Sequence, residues 1–373
     1  MNVAKTLIKR ALIRPISPEA AYPETRISKF VDAETIETPE AVNMPFADSA
    51  HAWQQAVVNS RPVNVSVLKN VLYCPEYRIL LTHRRRPIRE SYNSARPPES
   101  FDLGYLFRRE VEEIPGTCII FHHLDNNNFH TLLENLPRLY TVCQHPLIKD
   151  SNQSVSLVLS RFVSESSQFF LNRLLPENVT YRSVGNGKLY RLEEVVLSSF
   201  PILPATGCLP RFYLENLYFP YRPNRVCRKI NRIYISRERA YNCRHVVNEA
   251  ELMKTLSRYG FKKYCLEDLS LEDQITLFFD ADMVIAPHGA GLTNMIFSSQ
   301  IRIIELFPEP VIFPHYYHLA KACGHHYHYM MGQRSSGVSP IRKKQPRYAK
   351  DSNFTVNPAA VEQLLQQQGC LTR

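Results

Sequence analysis

The sequence predicts an α/β protein built from two domains, and three observations lead to that prediction. The chain has 373 residues, which is enough for two separate hydrophobic cores. Its second half alternates short apolar runs with segments of helical spacing, as a doubly wound parallel sheet does. Five prolines between Pro201 and Pro223 separate this regular half from a mixed first half.

These patterns predict five segments along the chain. Residues 1–50 are expected to be a weakly structured leader, because they are rich in Pro, Glu, Thr and Ala without periodicity. Residues 51–205 are predicted to form the first α/β domain and 206–229 a proline-rich linker. Residues 230–335 are predicted to form the second domain, and 336–373 a tail with a closing helix.

The first domain mixes strand-like and helical segments. Leucines at 132, 133, 136 and 139 lie on one helix face, which predicts a helix over 129–143. A second helix is predicted over 164–175. The predicted strands are 63–68, 70–73, 78–82, 117–122, 155–159 and 188–197.

The second domain alternates strands and helices regularly, so the sheet is expected to be parallel. The predicted strands are 232–236, 262–266, 283–286, 301–307 and 326–330. The predicted helices are 247–259, 271–280, 290–298 and 315–323. A closing helix over 361–368 is expected to pack back on the first domain.

One strand-to-helix turn in the second domain predicts a site for a phosphate or diphosphate. The apolar strand Met283–Ala286 ends at Pro287, and two glycines follow before the next helix. Such a turn directs backbone N–H groups and a helix dipole at one point, and glycine lets an anion approach closely. Tight packing alone is the alternative explanation for the glycines. The ligand contacts expected here are His288, Gly289, Ala290, Gly291, Thr293 and Asn294.

Charged residues at neighbouring strand ends extend this site. Ligands of parallel sheets bind beyond the carboxyl ends of the strands. Arg237 follows the first strand of the second domain, and Arg244 lies shortly after it, so both are predicted to bind a diphosphate. Glu305, near the end of the fourth strand, is predicted to accept the ribose hydroxyls. A surface salt bridge and a solvated strand end are the respective alternatives.

Two other clusters are poor candidates for metal sites. Asp280 and Asp282 resemble a D-x-D metal clamp, but they lie where a helix ends and the next strand begins, at the opposite sheet edge. Five histidines fall between His315 and His328 without a companion Asp or Cys in a familiar ligand spacing. We therefore expect no metal site, and no cofactor is required.

A His–Glu pair opens the predicted helix 129–143. His130 and Glu134 are four residues apart, so they share one helix face. Asn126, Asn127 and Asn128 precede them as N-cap candidates. Taken alone, such a pair is more often a surface pair than a catalytic base.

Composition narrows the partners and the compartment. The net charge of +10 is distributed along the chain, which suits anionic ligands, and no nucleic-acid-binding motif is present. Nine scattered cysteines without a C-x-x-C pair indicate a reducing, cytoplasmic compartment. The basic segment 4–14 is interpreted as a disordered leader, with peripheral contact at the anionic inner face of a membrane as the alternative.

Several segments together resemble glycosyltransferase family 61, in the same order along the chain. The resemblance covers residues 117–330 well and the first hundred residues little. Its most specific part is the combination of the glycine turn with a Ser–Arg strand end. The segments that carry it are 128–138, 233–237, Arg244, 247–248, 273–275, 287–294 and 304–306.

This resemblance implies two Rossmann-like domains facing a cleft, a GT-B-like arrangement, and an inverting transfer from a nucleotide sugar, with UDP as the default nucleotide. In the family, a helix of the first domain carries a His with an acidic residue four positions on. These positions are His130 and Glu134 here, so the resemblance makes Glu134 the expected general base and His130 its positioning partner or its substitute. The first domain is then the acceptor side, and a glycan or lipid-linked acceptor in surface or capsular polysaccharide synthesis is expected.

Two alternatives remain open at this stage. The second domain would also suit a non-catalytic module that binds a nucleotide or polyanion. A GT-B-like polysaccharide pyruvyl transferase would use the same architecture with a different donor. Turnover of nucleotide sugars distinguishes a glycosyltransferase from the binding module. A donor panel that includes phosphoenolpyruvate distinguishes it from the pyruvyl transferase.

Overall fold

A computed structural model describes residues 15–25, 27–44, 54–93, 101–102, 104, 107, 110–121, 127–160, 163–203, 206–240, 243–310, 312–335 and 352–372. The chain divides into two compact units. The first comprises Met1–Glu34 with Ser60–Pro204, and the second Thr35–Asn59 with Ala205–Arg373. Each unit combines a sheet with helices, so the predicted α/β class is confirmed.

The strands, in chain order, are β1 (Ile27–Val31), β2 (Thr35–Glu37), β3 (Val57–Asn59), β4 (Val63–Cys74), β5 (Ile79–Leu81), β6 (Val111–Ile120), β7 (Val155–Leu159), β8 (Val179–Ser183), β9 (Leu189–Ser198), β10 (Asn231–Ile235), β11 (Phe261–Tyr264), β12 (Ala281–Pro287), β13 (Arg302–Pro308), β14 (His326–Arg334) and β15 (Phe354–Thr355). The α-helices are α1 (Pro18–Ala21), α2 (Asn128–His130), α3 (Leu136–Cys143), α4 (Pro146–Lys149), α5 (Glu165–Leu174), α6 (Arg211–Tyr213), α7 (Glu249–Arg258), α8 (Leu271–Phe279), α9 (His315–Ala322) and α10 (Pro358–Gln367). Two segments are π-helical, Thr131–Asn135 and Leu214–Tyr218. The 3-10 helices are Pro39–Asn43, Arg89–Ser91, Phe219–Tyr221, Leu266–Asp268 and Ala290–Phe297.

The sheet of the first unit is mixed. Its strand order is β1-β4-β9-β6-β7-β8, with β5 paired to β4. The pairs among β9, β6, β7 and β8 are parallel, whereas β1, β4, β5 and β9 pair antiparallel. The two short strands predicted over 63–73 are one continuous strand, in which Asn70 adopts a φ of 52°.

The helix that follows β6 is composite rather than a regular α-helix. The π segment Thr131–Asn135 joins α2 to α3, and the Leu136 N–H donates to the Thr131 carbonyl. Pro137 explains the wide turn, because a proline ring clashes with the carbonyl four residues before it and lacks an N–H. The second π segment also comes two residues before a proline, Pro220.

The sheet of the second unit is doubly wound and parallel, as predicted. Its strand order is β11-β10-β12-β13-β14-β15, and only the pairing with β15 is antiparallel. Numbered within the unit, the five parallel strands follow the order 2-1-3-4-5. The chain therefore reverses direction across the sheet between β10 and β12, which is the point where such sheets bind ligands.

Three sequence expectations, about the leader, the linker and the closing helix, are corrected. Part of the expected leader forms β1, which pairs with β4 through four registered residues. Part of the expected linker is helical, and Tyr213 and Tyr218 in it are completely buried within the second unit's residues. The aromatic side chains between the prolines bury apolar surface in the core, which the residues of a flexible linker do not do.

The closing helix also differs from its prediction. α10 belongs to the second unit, where Val361 and Leu365 join a core cluster with Leu252 and Leu256 of α7. Glu362 accepts a hydrogen bond from Arg258 at 3.0 Å. The apolar face of α10 thus covers the second unit's own sheet, so the expected packing on the first domain is wrong.

Candidate functional site

The turns after β10 and β12 bring the predicted basic and glycine residues together at the reversal point of the sheet. Tyr234 pairs with Ile285 in the register of these two strands, so their carboxyl ends lie side by side. Arg237 follows the first end, and Gly289 follows the second. The prediction that both lie at one edge of the sheet is confirmed.

A side chain at Gly289 would displace the guanidinium of Arg237. A Cβ at Gly289 would lie 2.0 Å from Nη1 of Arg237 and 3.1 Å from its Cζ. The backbone of Gly289 is extended, with φ 175°, a conformation that any residue adopts. The glycine therefore provides space for the guanidinium, and not a special backbone angle.

The surroundings of Arg237 hold its side chain in place and lower its pKa. Its Nε and Nη2 donate to the carbonyl oxygen of Cys243 at 3.3 and 3.2 Å. Burial, followed by the positive charge of Arg244, lowers the pKa of Arg237 to about 10. A half-buried cation next to a second cation is stabilised by any anion that binds between them.

Arg244 shows two signs of a functional position. Its φ is 74°, which is uncommon for a residue with a side chain and carries backbone strain. Its buried Nε lacks a hydrogen-bond partner among the described residues. We refer to Arg237, Arg244 and Gly289 as the anion site.

The residues after Gly289 stabilise the turn by packing and hydrogen bonding inside the protein. A Cβ at Gly291 would lie 2.7 Å from Cδ1 of Leu266, so this glycine lets the turn pack closely. The helix predicted over 290–298 is a 3-10 helix instead. Thr293 and Asn294 are completely buried, and Asn294 donates to the Gln274 side chain at 2.8 Å. The Asn294 side chain thus ties the turn to α8, while Ala290 is half-buried beside it.

Glu305 lies deeper than predicted and binds protein groups. It is completely buried, and its Oε1 is 2.5 Å from Nδ1 of His288. Tyr327 donates to its Oε2 at 2.6 Å. Burial raises the pKa of Glu305 to about 8, with the Tyr327 bond and the charge of Arg244 acting in the opposite direction. The structure thus makes Glu305 the partner that orients His288, and the ribose contact stays a prediction.

Two residues of this region were missed at the sequence level. Tyr316 is buried, and its hydroxyl lies within electrostatic reach of Arg237, Arg244 and Glu305. Burial raises the pKa of this phenol. Tyr316 and Tyr327 both lie in the histidine-rich stretches. The spacing of Tyr316 after the fourth strand of the unit, at the ligand edge, was the available signal.

The aspartates of the D-x-D sequence have structural roles. Asp280 accepts hydrogen bonds from Arg225 at 2.8 and 2.6 Å, and the Arg225 bond lowers the pKa of Asp280. Asp282 accepts from Arg302 at 3.0 and 2.8 Å. Both lie at the amino-terminal edge of the sheet, as predicted. Both aspartates thus bind arginine side chains, and the expected absence of a metal clamp stays a prediction.

The five histidines are dispersed over different environments. His318 and His325 are buried, whereas His326 is exposed. Burial lowers the pKa of His325 to about 4, and its Nε2–H donates to the Met295 carbonyl at 3.0 Å. Within the described ranges, no three His, Cys, Asp or Glu side chains are grouped so that they could hold a metal ion. Metal independence of the reaction stays a prediction.

The His–Glu pair of the first unit is formed and has an additional partner. Nδ1 of His130 lies 2.9 Å from Oε2 of Glu134. Asn93 donates from Nδ2 to Oε1 of Glu134 at 2.8 Å. The exposed fraction of the Glu134 side chain is 9%, against 35% for His130. The pair is thus a shielded carboxylate with a more accessible imidazole beside it, which a simple surface pair would not show.

The helix carrying this pair is capped at its start and anchored again near its middle. Asn127 caps α2 by accepting from the Phe129 N–H at 3.2 Å, while Asn126 lies outside the described residues. Arg138 donates to the Ser198 and Glu90 carbonyls at 2.9 and 3.0 Å. Neither Asn93 nor the anchors of Arg138 were predicted, because they come from distant parts of the sequence.

The first unit also contains a cavity of 760 Å³ that is bounded by Tyr22, Lys69 and His145. None of the predicted site residues lines it. All nine cysteines are free, in line with the expected absence of a disulfide framework. Across the described part of the chain, no helix combines the length and the apolar character that membrane crossing requires.

The second unit is an α/β unit whose ligand-binding edge, in the terms of such folds, carries two arginines and a glycine turn. Comparison with protein families identifies the class further, because residues 129–304 match the family model described as Glycosyltransferase 61. The resemblance to glycosyltransferase family 61 is therefore confirmed over residues 129–304.

A curated relative gives a second, shorter match. Eighty-nine residues of the chain are 36% identical to the EGF domain-specific O-linked N-acetylglucosamine transferase of Drosophila melanogaster. The aligned stretch covers 23% of this chain and 16% of that protein. The chain thus spans about a sixth of the length of this relative.

Proposed function

We propose that the protein is an inverting glycosyltransferase that moves a sugar from a nucleotide-sugar donor to a hydroxyl group of a glycan acceptor. UDP is the expected nucleotide. The observation that carries the proposal is the guanidinium of Arg237 above Gly289, with Arg244 next to it, at the reversal point of a doubly wound sheet. The match of the region 129–304 to glycosyltransferase family 61 supports the same reaction class.

The anion site suits the diphosphate of the donor. Two guanidiniums provide paired, charge-assisted hydrogen bonds, which match phosphate oxygens better than single ammonium groups do. The unpartnered Nε of Arg244 gives one such donor within the described residues. Because negative charge grows on the departing diphosphate during transfer, these cations stabilise the transition state more than the ground state.

Glu134 is the proposed general base. A carboxylate that removes the proton of an acceptor hydroxyl must be ionised and must be held at a fixed angle. The hydrogen bonds from Asn93 and His130 fix both of its oxygens, and its small exposed fraction limits competition from water. His130, which is more accessible, is proposed to position Glu134 or to act as the base in its place.

In the proposed reaction, Glu134 takes the proton from the acceptor hydroxyl, and that oxygen forms a bond to the anomeric carbon of the donor sugar. The bond between this carbon and the diphosphate oxygen breaks, and its electron pair leaves with the diphosphate at the anion site. One displacement through an oxocarbenium-like transition state inverts the anomeric centre. We extend the proposal to a GT-B-like arrangement of two Rossmann-like domains, because the proposed mechanism uses both Glu134 and the arginines of the anion site.

The donor sugar and the acceptor are narrower parts of the proposal. The Drosophila relative is named for N-acetylglucosamine transfer to EGF domains, so UDP-N-acetylglucosamine is the first donor to test. For the acceptor we propose a saccharide, free or lipid-linked, of surface or capsular polysaccharide synthesis. The net charge of +10 favours anionic donors and lipid head groups. We propose a cytoplasmic protein because its nine cysteines are free, which suits a reducing compartment.

The deciding experiment is release of UDP from a panel of UDP-sugars in the presence of saccharide acceptors. The proposal expects acceptor-dependent release that Glu134→Gln removes. A protein that binds UDP-sugars without releasing UDP would be a binding module and would refute the proposal. Phosphoenolpyruvate in the same panel tests the pyruvyl transferase alternative.

A further inference from the structure

His288, which the glycine turn places next to the anion site, is surrounded by aromatic rings. The ring centroid of Phe307 lies 5.1 Å away and stacks on it, with 26° between the planes. Tyr316 lies at 5.3 Å, Phe313 at 5.5 Å and His315 at 5.8 Å. This is a larger aromatic group than the orientation of one imidazole needs, because Glu305 already fixes the ring through Nδ1.

The four rings differ in exposure. Phe307 and Tyr316 are buried, whereas Phe313 and His315 are partly exposed. The centroids of Phe313 and His315 are 5.8 Å apart, and their planes meet at 55°. We refer to these two residues as the aromatic corner, since their ring planes enclose an angle instead of stacking on each other.

The aromatic corner and the anion site share neighbours. Phe313 and His315 follow β13, beyond the same carboxyl edge that carries Arg237 and Gly289. Tyr316, next to His315 in the chain, lies within electrostatic reach of both arginines. His288 contacts both rings of the aromatic corner and precedes Gly289 directly. A ligand bound at the anion site through phosphates therefore has aromatic surface within its reach.

We propose that the aromatic corner binds the nucleobase of the donor, with the base stacked on Phe313 and its edge facing His315. This inference rests on the proposed function, because it assigns a further part of the same donor site. Phe313 offers only a π-face, whereas His315 carries ring nitrogens that can meet the polar edge of a base. The 55° angle allows a flat base to stack on one ring while the other ring meets its edge.

The chemistry of stacking supports a base more than a sugar phosphate at this position. Every nucleobase has a π-face, and stacking of a base on an aromatic side chain is sequence-tolerant. A phosphate would instead bind the guanidiniums. The assignment also gives a role to His315, the first of the clustered histidines, that does not involve a metal ion.

The test compares nucleotides with pyrophosphate, which lacks a base. Affinities of UDP, CDP, ADP, GDP and pyrophosphate are measured by calorimetry for the wild type and for Phe313→Ala, Phe313→Tyr and His315→Ala. Tyr329→Ala is the matched control, because Tyr329 is a partly exposed aromatic residue that packs on the same core cluster as Phe313. Melting temperatures of all variants monitor folding.

We expect at least one nucleotide to bind the wild type more tightly than pyrophosphate. Phe313→Ala is expected to weaken that nucleotide by roughly 5- to 150-fold and to leave pyrophosphate unchanged. Phe313→Tyr should retain most of the affinity, and His315→Ala should reduce discrimination among bases. Tyr329→Ala should change neither ligand.

The outcomes separate this inference from the proposed function. If the wild type binds pyrophosphate and nucleotides equally, or if Phe313→Ala keeps the preference for the nucleotide, the base site is refuted while the anion site stands. If the wild type binds neither pyrophosphate nor any nucleotide, the proposed function fails and the base site with it.

Discussion

The anion site of the second unit and the His130–Glu134 pair of the first are built in different ways. The anion site depends on backbone topology, because parallel strand ends bring Arg237 and Gly289 together. The His130–Glu134 pair depends on side-chain contacts, among them the hydrogen bond from Asn93, which is 41 residues away in sequence. One site is set by the fold, and the other by a few polar contacts on one helix.

This difference predicts how each site responds to substitution. Removing a charge from the anion site changes affinity, since the sheet edge persists without it. Removing the carboxylate of Glu134 changes the chemistry and leaves the donor's binding groups intact. The assignment of the two sites is supported if anion-site variants change only donor affinity and Glu134 variants change only turnover. Variants that change both quantities would contradict it.

The largest effect is expected from Glu134→Gln. Loss of the base should lower kcat by about two orders of magnitude or more, with donor affinity largely unchanged. Steady-state kinetics and calorimetry with UDP measure the two quantities. Glu165→Gln, an exposed carboxylate of the same unit, is the control and should behave as wild type. Retained activity in Glu134→Gln would remove this residue as the base.

Arg237→Ala should weaken UDP binding by roughly 10- to 150-fold, the range for hydrogen bonds to charged groups. Arg239→Ala is the matched control, because Arg239 is an exposed neighbour that pairs with Asp268. Calorimetry at fixed ionic strength compares the two. Equal UDP affinity in both variants would show that Arg237 does not contact the diphosphate.

Gly289→Ala should weaken UDP binding by about tenfold, since the new Cβ would displace the guanidinium of Arg237. The effect should disappear in the Arg237→Ala background, because the displaced group is then already missing. A double-mutant cycle with UDP affinities measures this coupling. Additive losses would mean that Gly289 acts on the ligand directly.

A smaller effect is expected in the pH dependence of stability. The folded-state pKa of Glu305, about 8, lies above its ordinary value, so the folded protein binds the extra proton. This contribution is complete at low pH and is lost as the pH rises towards 8, with a slope of at most about 1.4 kcal/mol per pH unit.

The measurement is the free energy of unfolding in urea between about pH 5 and 8, for the wild type and Glu305→Gln. We expect the wild type to lose stability more steeply than the variant. Among the described residues, the ionisable groups around Glu305 are His288, Tyr327, Arg244 and Tyr316, and they stay in place in both proteins. Equal slopes would show that Glu305 is ionised in the folded protein throughout this range.

No effect at all is expected from EDTA on sugar transfer, since the arginines are proposed to neutralise the leaving diphosphate. Activity is measured with and without prior chelation. A loss that Mg²⁺ or Mn²⁺ restores would show that the transfer depends on a divalent cation.

The second unit could be predicted well from sequence, because its alternating pattern fixes a parallel sheet and its strand ends. Arg237 and Gly289 were found for that reason. Glu305 was placed on the correct edge, but its burial against His288 and Tyr327 depends on side-chain packing that no periodicity reveals. The same holds for Asn294, which a ligand-contact prediction placed outside the core.

The first unit was harder to predict, since its sheet is mixed and its edge strand comes from the expected leader. Apolar spacing does not distinguish a mixed sheet from a parallel one. The composite helix at 128–143 was predicted as one regular helix, although it contains Pro137 and a proline disturbs regular α-helical winding.

The wide π turn at Thr131–Asn135 gives the helix an extra residue between its two ends. Deleting one residue within the turn would restore regular winding and rotate Glu134 relative to α3 by about 100°. The direction in which the carboxylate points therefore depends on the winding of the helix as much as on the residue at position 134. Natural or designed insertions and deletions in this helix should redirect the base without altering a single functional side chain.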